Sequence, residues 1–586
     1  MSQKSVDQLK EVQTIFAILH GDAEADLLMK NLNILDVHGE SVYQGSLLIY
    51  NGRIVALNPD ESIVKVKETF DGKGLYAIPG LIDAHFHFES QLAQPTALAE
   101  AMVPNGTTTV FAECLDLIGS AGKDGVKAAQ NLFKDYDKLP YRLYAFAPGK
   151  KVAAEITKEL LDMEPMIGLG EYEHFSYASG SMDDFKKAAW VREKGGFING
   201  HWGLTTLSDM ELNYLPAIGV TNNHDAWNGD DIAKSVRYGF STQIKFGVGS
   251  PEVIKTLIRA IVDRKYPTDN FQLCSDNISI RRLLTMGHMD WIISLCVEMG
   301  IPPIKAIKMA SYNTARFFHV DNEIGSLTPG RFADIVLTDS LAKINPLYVF
   351  KSGELIAQDK KLLKNTVIDY SAMRTKGVPG LVDVTPEQLT VKPLEISADG
   401  TKAKVYLFDV YGRGHAKFYQ EIWVPCKDGK IEPVYEGETY NYFSLIERYP
   451  DGKRTIVNGL FKGIHIEHGA VATSFPAPVP HLVVVGTNSE EMCFCAKEVD
   501  TYSGACIVTD QGSVKSVLPI EIYGMMVNMD MDALNKSSDA IDKALEELGN
   551  KNIGEPVVNK MLSLFISLHR FRFMSEETAK IPDPVY

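Results

Sequence analysis

The stretch IPGLIDAHFHFESQ, residues 78–91, places two histidines one residue apart directly after a run of apolar residues. Side chains two residues apart on a β-strand point to the same side of the sheet, so His85 and His87 face one way while Phe86 faces the other. Two imidazoles on one face can bind one cation. The stretch therefore predicts a buried strand that leads into a metal site.

Seven further segments repeat this pattern of a short apolar run that ends in glycine or a polar residue. Buried parallel strands have this composition, and helix-like segments such as MDDFKKAAWVREK and PEVIKTLIRAIVDRK lie between them. Strand–helix alternation repeated eight times predicts an α/β fold built on a (β/α)8, TIM-like barrel. The predicted strands span residues 77–83, 107–113, 141–148, 166–171, 196–201, 219–224, 241–248 and 271–276.

Polar residues gather at the carboxyl ends of these predicted strands, where barrel enzymes place their sites. Neutral imidazole and carboxylate are ligands that zinc, manganese and iron(II) accept. A single buried histidine is more often a hydrogen-bonded core residue, but unrelated core residues have no reason to occur in this order. The candidate ligands are His85, His87, Glu171, His201, His224 and Asp276.

Length and composition narrow the class of protein further. A chain of 586 residues exceeds what one hydrophobic core usually serves, so at least two domains are expected. The net charge of −16 is spread along the chain, which argues against nucleic acid or an anionic membrane as a partner. No apolar run reaches the roughly 20 residues of a membrane span, and the start MSQKSVDQLKEVQTIFAILHGD lacks the basic and apolar blocks of a signal peptide. A cytoplasmic location is therefore expected.

The ordered motifs resemble the amidohydrolase superfamily of metal-dependent hydrolases, and more closely its adenine deaminase family. The segments that carry the resemblance, in family order, are PGLIDAHFHFES, NGTTTVFAE, GLGE, NGH, GVTNNHD, CSDN, MGHMDWII, SYNTARFF and KGIHIEHGAVATS. The first motif is shared by many hydrolases, whereas the ordered set is specific and covers nearly the whole chain.

The resemblance implies two divalent ions, with manganese or iron(II) favoured and zinc possible. By that resemblance His85, His87 and Asp276 would hold one ion, His201 and His224 the other, and Glu171 would bridge them. Glu171 and Asp276 would be the catalytic carboxylates, and Asp276 would take a proton from the attacking water and pass it to the departing nitrogen.

Further positions are expected to contact the substrate or to support the ligands. Glu89 and Ser90 resemble the family's Glu-Ser pair at the rim, although a solvated loop carboxylate is an equally good interpretation of Glu89. Trp202 is expected to be a pocket wall or a core residue. His288 and Asp290 are expected to orient the ligands or to anchor the loop after the eighth strand. The predicted substrate-binding set is Glu89, Ser90, Glu113, Tyr172, Glu173, Trp202 and Asn277.

The sequence departs from the family pattern at four places, all in the substrate region. Glu113-Cys114-Leu115-Asp116 replaces Asp-Pro-His-Glu, so that Leu115 stands where the family has a histidine. Tyr-Glu-His at 172–174 replaces Met-Met-Asn, Asp-Asn at 276–277 replaces two aspartates, and Ala-Pro-Val-Pro at 477–480 replaces His-Asp-Ser-His. The family default is hydrolytic deamination of adenine to hypoxanthine and ammonia. The alternatives are a cyclic amidohydrolase that opens an oxidised purine such as xanthine, and an inactive metal-binding scaffold or purine-binding regulator.

The expected domain organisation has four segments. Residues 1–76 and 321–376 would form a small β-sandwich beside a barrel at 77–320, and residues 377–586 would form a C-terminal α+β domain. In the family that this chain resembles, the last region helps to close the pocket, so that its deletion from residue 380 should cripple turnover and leave some metal bound. A homo-oligomer is expected by family analogy.

Overall fold

The protein is described by a computed structural model in which the described residues are 3–150, 152–172, 175–247, 251–278, 280–374, 383–409, 419–447, 454–475 and 481–551. Three large sheets organise these residues. No helix among them is both long enough and apolar enough to cross a lipid bilayer.

The central sheet is a nearly closed barrel of eight parallel strands that follow one another in chain order. A bridge between Phe86 and Asp276 joins the first strand to the end of the eighth, and the Asp276 backbone N–H donates to the His85 carbonyl at 2.9 Å. The strands, here called barrel strands one to eight, are Leu81–His87, Thr107–Glu113, Arg142–Pro148, Met166–Tyr172, Phe197–Gly200, Val220–Asn223, Ser241–Lys245 and Phe271–Cys274. The predicted fold class is confirmed.

Helices cover the outside of the barrel, as the strand–helix alternation predicts. Side-chain caps fix two of their starts: Ser208 and Glu211 form a capping box at one helix, and Asn228 and Asp231 form another. The helices are Pro95–Met102, Leu115–Ala121, Gly125–Leu132, Ala154–Leu160, Phe175–Ser179, Met182–Glu193, Asp209–Ala217, Gly229–Tyr238, Pro251–Asp263, Ile280–Met286, Met289–Glu298, Pro303–Met309 and Tyr312–Phe317.

The first barrel strand lies later in the chain than residues 77–83, where the apolar run places it. Residues Tyr76–Pro79 instead pair antiparallel with Ile335–Thr338 in the neighbouring sheet. Gly80 lies between the two strands, and a Cβ there would lie 2.1 Å from the Thr108 hydroxyl oxygen, so this position requires glycine. His85 and His87 consequently belong to the strand itself, which holds their side chains on one face.

Segments from both flanks of the barrel form one nine-stranded sheet, as expected for residues 1–76 and 321–376. The N-terminal helix Gln3–Leu19 precedes it. Its strands are Glu24–Asp36, Ser41–Tyr50, Arg53–Leu57, Lys65–Asp71, Tyr76–Pro79, Ile335–Thr338, Pro346–Lys351, Glu354–Gln358 and Lys361–Leu362.

The C-terminal region contains a ten-stranded sheet with helices Pro386–Leu389, Ser489–Asp500 and Met531–Glu547. One hydrophobic cluster runs from barrel residues such as Phe88 to C-terminal residues such as Phe475. The strands of this sheet are Glu395–Ile396, Lys402–Asp409, Tyr419–Lys427, Lys430–Ile431, Asn441–Glu447, Ile456–Lys462, Ala470–Thr473, His481–Gly486, Ala505–Asp510 and Ser513–Pro519, and a small hairpin pairs Val434–Tyr435 with Glu438–Thr439. The region is therefore α+β and packs on the barrel.

Candidate metal centre

Four imidazoles converge at the carboxyl ends of the barrel strands. The Nε2 atoms of His85 and His87 lie 3.1 Å apart, and His201 Nδ1 lies 2.8 Å from His224 Nε2. The side chains of His85 and His224 have no exposed surface, and that of His201 is 19% exposed. The four histidines therefore present their nitrogens to one enclosed space.

The inner oxygen of Glu171, Oε1, faces all four of these imidazoles. Glu171 lies near the end of barrel strand four, which places its carboxylate at the centre of the histidine group. The distances from Oε1 are 3.1 Å to His87 Nε2, 3.5 Å to His201 Nδ1, 3.7 Å to His85 Nε2 and 3.8 Å to His224 Nε2. One carboxylate oxygen thus lies within 4 Å of a nitrogen from every histidine of the predicted ligand set.

Asp276 adds a second carboxylate beside the first two histidines. Its Oδ1 lies 3.5 Å from His87 Nε2 and 3.8 Å from His85 Nε2. Two groups of three donors have all their ligand atoms within 4.8 Å of one another: His85 with His87 and Asp276, and His85 with Glu171 and His224. His85 is common to both groups.

The backbone of both acidic residues is in the left-handed region, with φ of +44° at Glu171 and +51° at Asp276. Residues other than glycine adopt this conformation uncommonly, and such positions concentrate at functional sites. In both cases the left-handed residue lies at or just beyond the end of its strand. No pattern in the sequence predicts this backbone conformation.

The charge balance of this cluster favours a bound cation. Burial lowers the pKa of His85, and burial beside other imidazoles lowers the pKa of His224 well below its usual value. Both shifts favour the neutral form that binds metal. Burial opposes a charge on His87, but Glu171 and Asp276 raise its pKa to about 10. The carboxylates therefore attract positive charge to this position, and a bound cation can supply that charge in place of the proton. The donor set fits a divalent metal ion.

Two lysines lie against the acidic residues, Lys150 with a side chain that is 10% exposed and Lys245 buried, and the sequence patterns did not indicate either. Lys150 Nζ lies 2.9 Å from Glu171 Oε2. Burial opposes the charge on Glu171, but Lys150 and His201 hold the pKa of this carboxyl well below its usual value. Lys245 pairs with Asp225 and lies 3.9 Å from Asp276 Oδ2. A lysine in the predicted strand that begins at Ser241 is a sequence feature that could have indicated the second pair; the strand Ser241–Lys245 is buried along its whole length.

His288 joins the first and eighth barrel strands through Asp83. His288 Nε2 lies 3.0 Å from Asp83 Oδ2, and its Nδ1 lies 2.7 Å from the Thr107 hydroxyl. Asp83 Oδ1 accepts hydrogen bonds from the backbone N–H groups of His85 at 3.2 Å and Ser275 at 3.0 Å. The group therefore fixes the backbone beside His85. Asp83 was not among the predicted site residues.

Asp290 anchors the turn that carries His288. Its Oδ1 accepts the His288 backbone N–H at 2.8 Å, and its Oδ2 lies 2.7 Å from Lys360 Nζ. The contacts of Asp290 are with the turn and with the flanking sheet.

The predicted substrate-binding acids Glu89 and Glu113 are both fully buried. Glu89 Oε1 accepts the Leu117 backbone N–H at 3.0 Å, and burial with the charge of Asp116 raises its pKa to about 7. Its burial does not fit a solvated loop carboxylate. Glu113 Oε1 lies 3.4 Å from Asn199 Nδ2, and burial with the charge of Glu171 raises the pKa of Glu113 well above its usual value.

The remaining predicted substrate contacts are distributed around the cluster. Tyr172 and Trp202 are buried, and the Trp202 ring packs edge-on against Phe240 with centroids 6.3 Å apart. Asn277 Nδ2 donates to Asp276 Oδ1 at 2.9 Å. Glu173, the side chain of Ser90 and the 476–480 loop lie outside the described residues. Leu115 is buried at the start of the helix Leu115–Ala121.

Comparison with known proteins identifies the family. Residues 76–357 match the Amidohydrolase family, and residues 419–569 match the Adenine deaminase C-terminal domain. A curated adenine deaminase from Desulforamulus reducens is 32% identical over 543 residues, covering 90% of each chain. The chain belongs to the adenine deaminase family. The resemblance drawn from the motifs is confirmed.

Two further similar proteins have lower sequence identity. An adenine deaminase from Kosmotoga olearia is 28% identical over 551 residues, covering 91% of each chain. Among solved structures, a beta-aspartyl dipeptidase from Fervidobacterium islandicum covers 58% of this chain and 98% of its own, with 17% identity and a TM-score of 0.46.

Proposed function

We propose that the protein is a metal-dependent hydrolase that converts adenine and water to hypoxanthine and ammonia. The observation that carries this proposal is the convergence of four imidazoles on the inner oxygen of Glu171 at the mouth of the barrel. Membership of the adenine deaminase family supplies the substrate and the bond that breaks. A barrel mouth lined by such donors is where enzymes of this fold carry out their chemistry.

We propose two divalent ions, manganese or iron(II) in preference to zinc. His85, His87 and Asp276 would hold one, His201 and His224 the other, and Glu171 would lie between them. The donor group of His85, His87 and Asp276 supports the first ion. The 2.8 Å distance from His201 Nδ1 to His224 Nε2, with Glu171 Oε1 within 3.8 Å of both, supports the second. When bound, such ions supply Lewis-acid chemistry, since they lower the pKa of water to about 7 and make it nucleophilic at neutral pH.

Asp276 is the proposed proton carrier. Its carboxylate lies beside His85 and His87, so it can accept a proton from the attacking water and release it to the departing amino nitrogen. The C–N bond to the exocyclic amine breaks as a C–O bond forms, and ammonia leaves with the transferred proton. Asn277 donates to Asp276 Oδ1 and so orients the carboxylate.

Glu89 is the proposed hydrogen-bonding partner of a ring nitrogen. Because its pKa is raised to about 7, part of the population is protonated at neutral pH and can donate a hydrogen bond. Its Oε1 is held by the Leu117 backbone N–H, which leaves Oε2 for a ligand. Glu113, Tyr172, Glu173, Trp202, Ser90 and Asn277 remain predicted substrate contacts.

A second candidate is hydrolytic opening of an oxidised purine ring such as that of xanthine. Leu115 favours it, because a buried alkyl side chain occupies the position of the family histidine and cannot protonate an amino leaving group. An inactive scaffold or a purine-binding regulator is the remaining alternative.

The test is to incubate manganese-reconstituted protein with adenine, guanine, hypoxanthine, xanthine and uric acid while measuring ammonia and purine absorbance. Ammonia from adenine with an intact purine spectrum is the expected result. Loss of purine absorbance would support ring opening, and metal binding without hydrolysis of any purine would support the scaffold or regulator. Treatment with a chelator should abolish the activity, and manganese should restore it.

We also propose the four-segment division at 1–76, 77–320, 321–376 and 377–586. The pairing of strands from both flanks of the barrel and the separate C-terminal sheet support it. A homo-oligomer and a cytoplasmic location stay predictions, to be tested by light scattering and by fractionation.

A further inference from the structure

We propose that Lys150 is a positioning residue that holds the outer oxygen of Glu171, so that the inner oxygen alone faces the metal centre. Lys150 Nζ lies 2.9 Å from Oε2, whereas all four imidazole nitrogens lie within 3.8 Å of Oε1. The two oxygens of one carboxylate thus have different partners. A carboxylate held in this way offers the ions one oxygen instead of two.

The loop that carries Lys150 is fixed against barrel strand four, which carries Glu171. The Gly149 backbone N–H donates to the Gly170 carbonyl at 2.6 Å. A Cβ at Gly149 would lie 2.3 Å from that carbonyl oxygen, so only glycine permits this approach. The residue before Lys150 is therefore in contact with the residue before Glu171.

A second lysine, Lys187, donates hydrogen bonds to backbone carbonyls on either side of Lys150 in the sequence. Lys187, on the helix Met182–Glu193, is buried and donates to the carbonyls of Gly149 at 3.3 Å and Val152 at 2.7 Å. The Thr157 hydroxyl donates to the Pro148 carbonyl at 3.0 Å. The carbonyls of Pro148, Gly149 and Val152 are thus held by side chains, as a positioning role for Lys150 requires.

The charge of Lys150 should also affect how strongly the centre binds ions. The side chains of Lys150 and Glu171 are 10% and 6% exposed, so water screens their interaction weakly. An ammonium group with so little contact with water repels a metal cation beside it and partly neutralises the carboxylate. An ion bound less tightly by the carboxylate keeps more of its Lewis acidity, so the lysine favours turnover at the expense of metal affinity.

The experiment compares Lys150→Met, Lys150→Arg and wild-type protein, with Lys186→Met as the matched control. Lys186 lies on the same helix as Lys187, its side chain is 41% exposed, and its Nζ lies 3.4 Å from Oε1 of exposed Glu155. Manganese binding to the metal-free proteins is titrated by electron paramagnetic resonance, and kcat and KM for adenine are measured separately. Thermal unfolding of each metal-free protein checks the fold, and Lys150→Gln replaces the methionine variant if that variant does not fold.

Lys150→Met is expected to bind manganese roughly tenfold more tightly, because a nearby positive charge is removed. Its kcat should fall at least about tenfold with KM for adenine little changed, and Lys150→Arg should restore most of both values. Manganese binding that is unchanged or weaker in Lys150→Met would overturn the proposal. The kinetic comparison rests on the proposed adenine deamination, whereas the manganese titration does not. An altered manganese affinity in a protein that does not deaminate adenine would therefore refute the proposed function alone.

Discussion

Glu171 and His201 occupy different places in the candidate metal centre, but truncation of either side chain should have the same effect on metal binding and on turnover. Glu171 Oε1 lies within 4 Å of a nitrogen of all four histidines, and His201 contributes the most exposed of the four rings. Removing either leaves the other donors in place but too few to hold both proposed ions. The loss should therefore appear in metal content as well as in rate.

We predict that Glu171→Ala and His201→Ala each abolish turnover, by at least about a thousandfold, and lower the bound metal. The metal is measured by elemental analysis after dialysis, alongside kcat for adenine. His465→Ala is the control, because His465 is an exposed histidine of the C-terminal region. Wild-type rates in either site variant would contradict the ligand assignment.

The convergence of the proposed ligand residues could be predicted from the sequence because strand alternation and position at a strand end suffice to place them at one end of the barrel. His85 and His87 share a face whatever surrounds them, and Glu171, His201, His224 and Asp276 each follow an apolar run. Lys150 could not be predicted, since it lies in a loop with the sequence Gly-Lys-Lys that has no periodicity. Its partner becomes evident only when Gly149 is seen against Gly170.

Barrel strand four is rich in glycine because two neighbouring elements approach its backbone closely. A Cβ at Gly168 would lie 2.2 Å from the Phe197 carbonyl oxygen. A Cβ at Gly170 would lie 1.7 Å from Glu113 Oε2, so the buried carboxylate of strand two fills the space that a side chain would need. The segment GLGE thus combines a ligand with the room for a neighbouring acid.

We predict that Gly170→Ala destabilises the fold by roughly 1–3 kcal/mol through overpacking, and that Glu113→Ala removes most of this penalty in the double variant. Chemical unfolding of the wild type, both single variants and the double variant measures the coupling. Gly119→Ala is the control, because a Cβ at Gly119 has open space around it. Purely additive effects would show that the two residues do not compete for this space.

The elements themselves were predictable to within a few residues, apart from the first barrel strand. The apolar run from residue 77 continues through two strands that belong to different sheets, and hydrophobicity alone does not show where one sheet ends. Pro79-Gly80 lies where one sheet ends and the barrel begins, and Gly80 is needed there because Thr108 of the next barrel strand approaches its Cα closely. This contact joins segments that are distant in the chain, so a local sequence pattern does not show it.

The barrel and the C-terminal region share a hydrophobic core, which affects how the whole molecule should unfold. Phe88 and Leu92 of the barrel side belong to the same buried cluster as Phe475 and Ile522. The Val527 backbone N–H donates to the Leu92 carbonyl at 2.7 Å. Deletion from residue 380 would expose this cluster, so a loss of turnover in the truncated protein would report unfolding as well as loss of a pocket cover.

We predict that the barrel and the C-terminal sheet unfold in a single thermal transition. Four of the five tryptophans lie in the barrel region, and the fifth, Trp423, lies on the strand Tyr419–Lys427 of the C-terminal sheet. Fluorescence of the Trp423→Phe variant therefore follows the barrel alone, while calorimetry follows the whole chain. Replacing Trp423 should have little effect on stability because its side chain is partly exposed at 39%.

Because burial of apolar surface couples the two regions, the midpoints of the fluorescence and calorimetric transitions should coincide. Two separated heat-absorption peaks, with the fluorescence change in only one, would show that the shared cluster does not couple them.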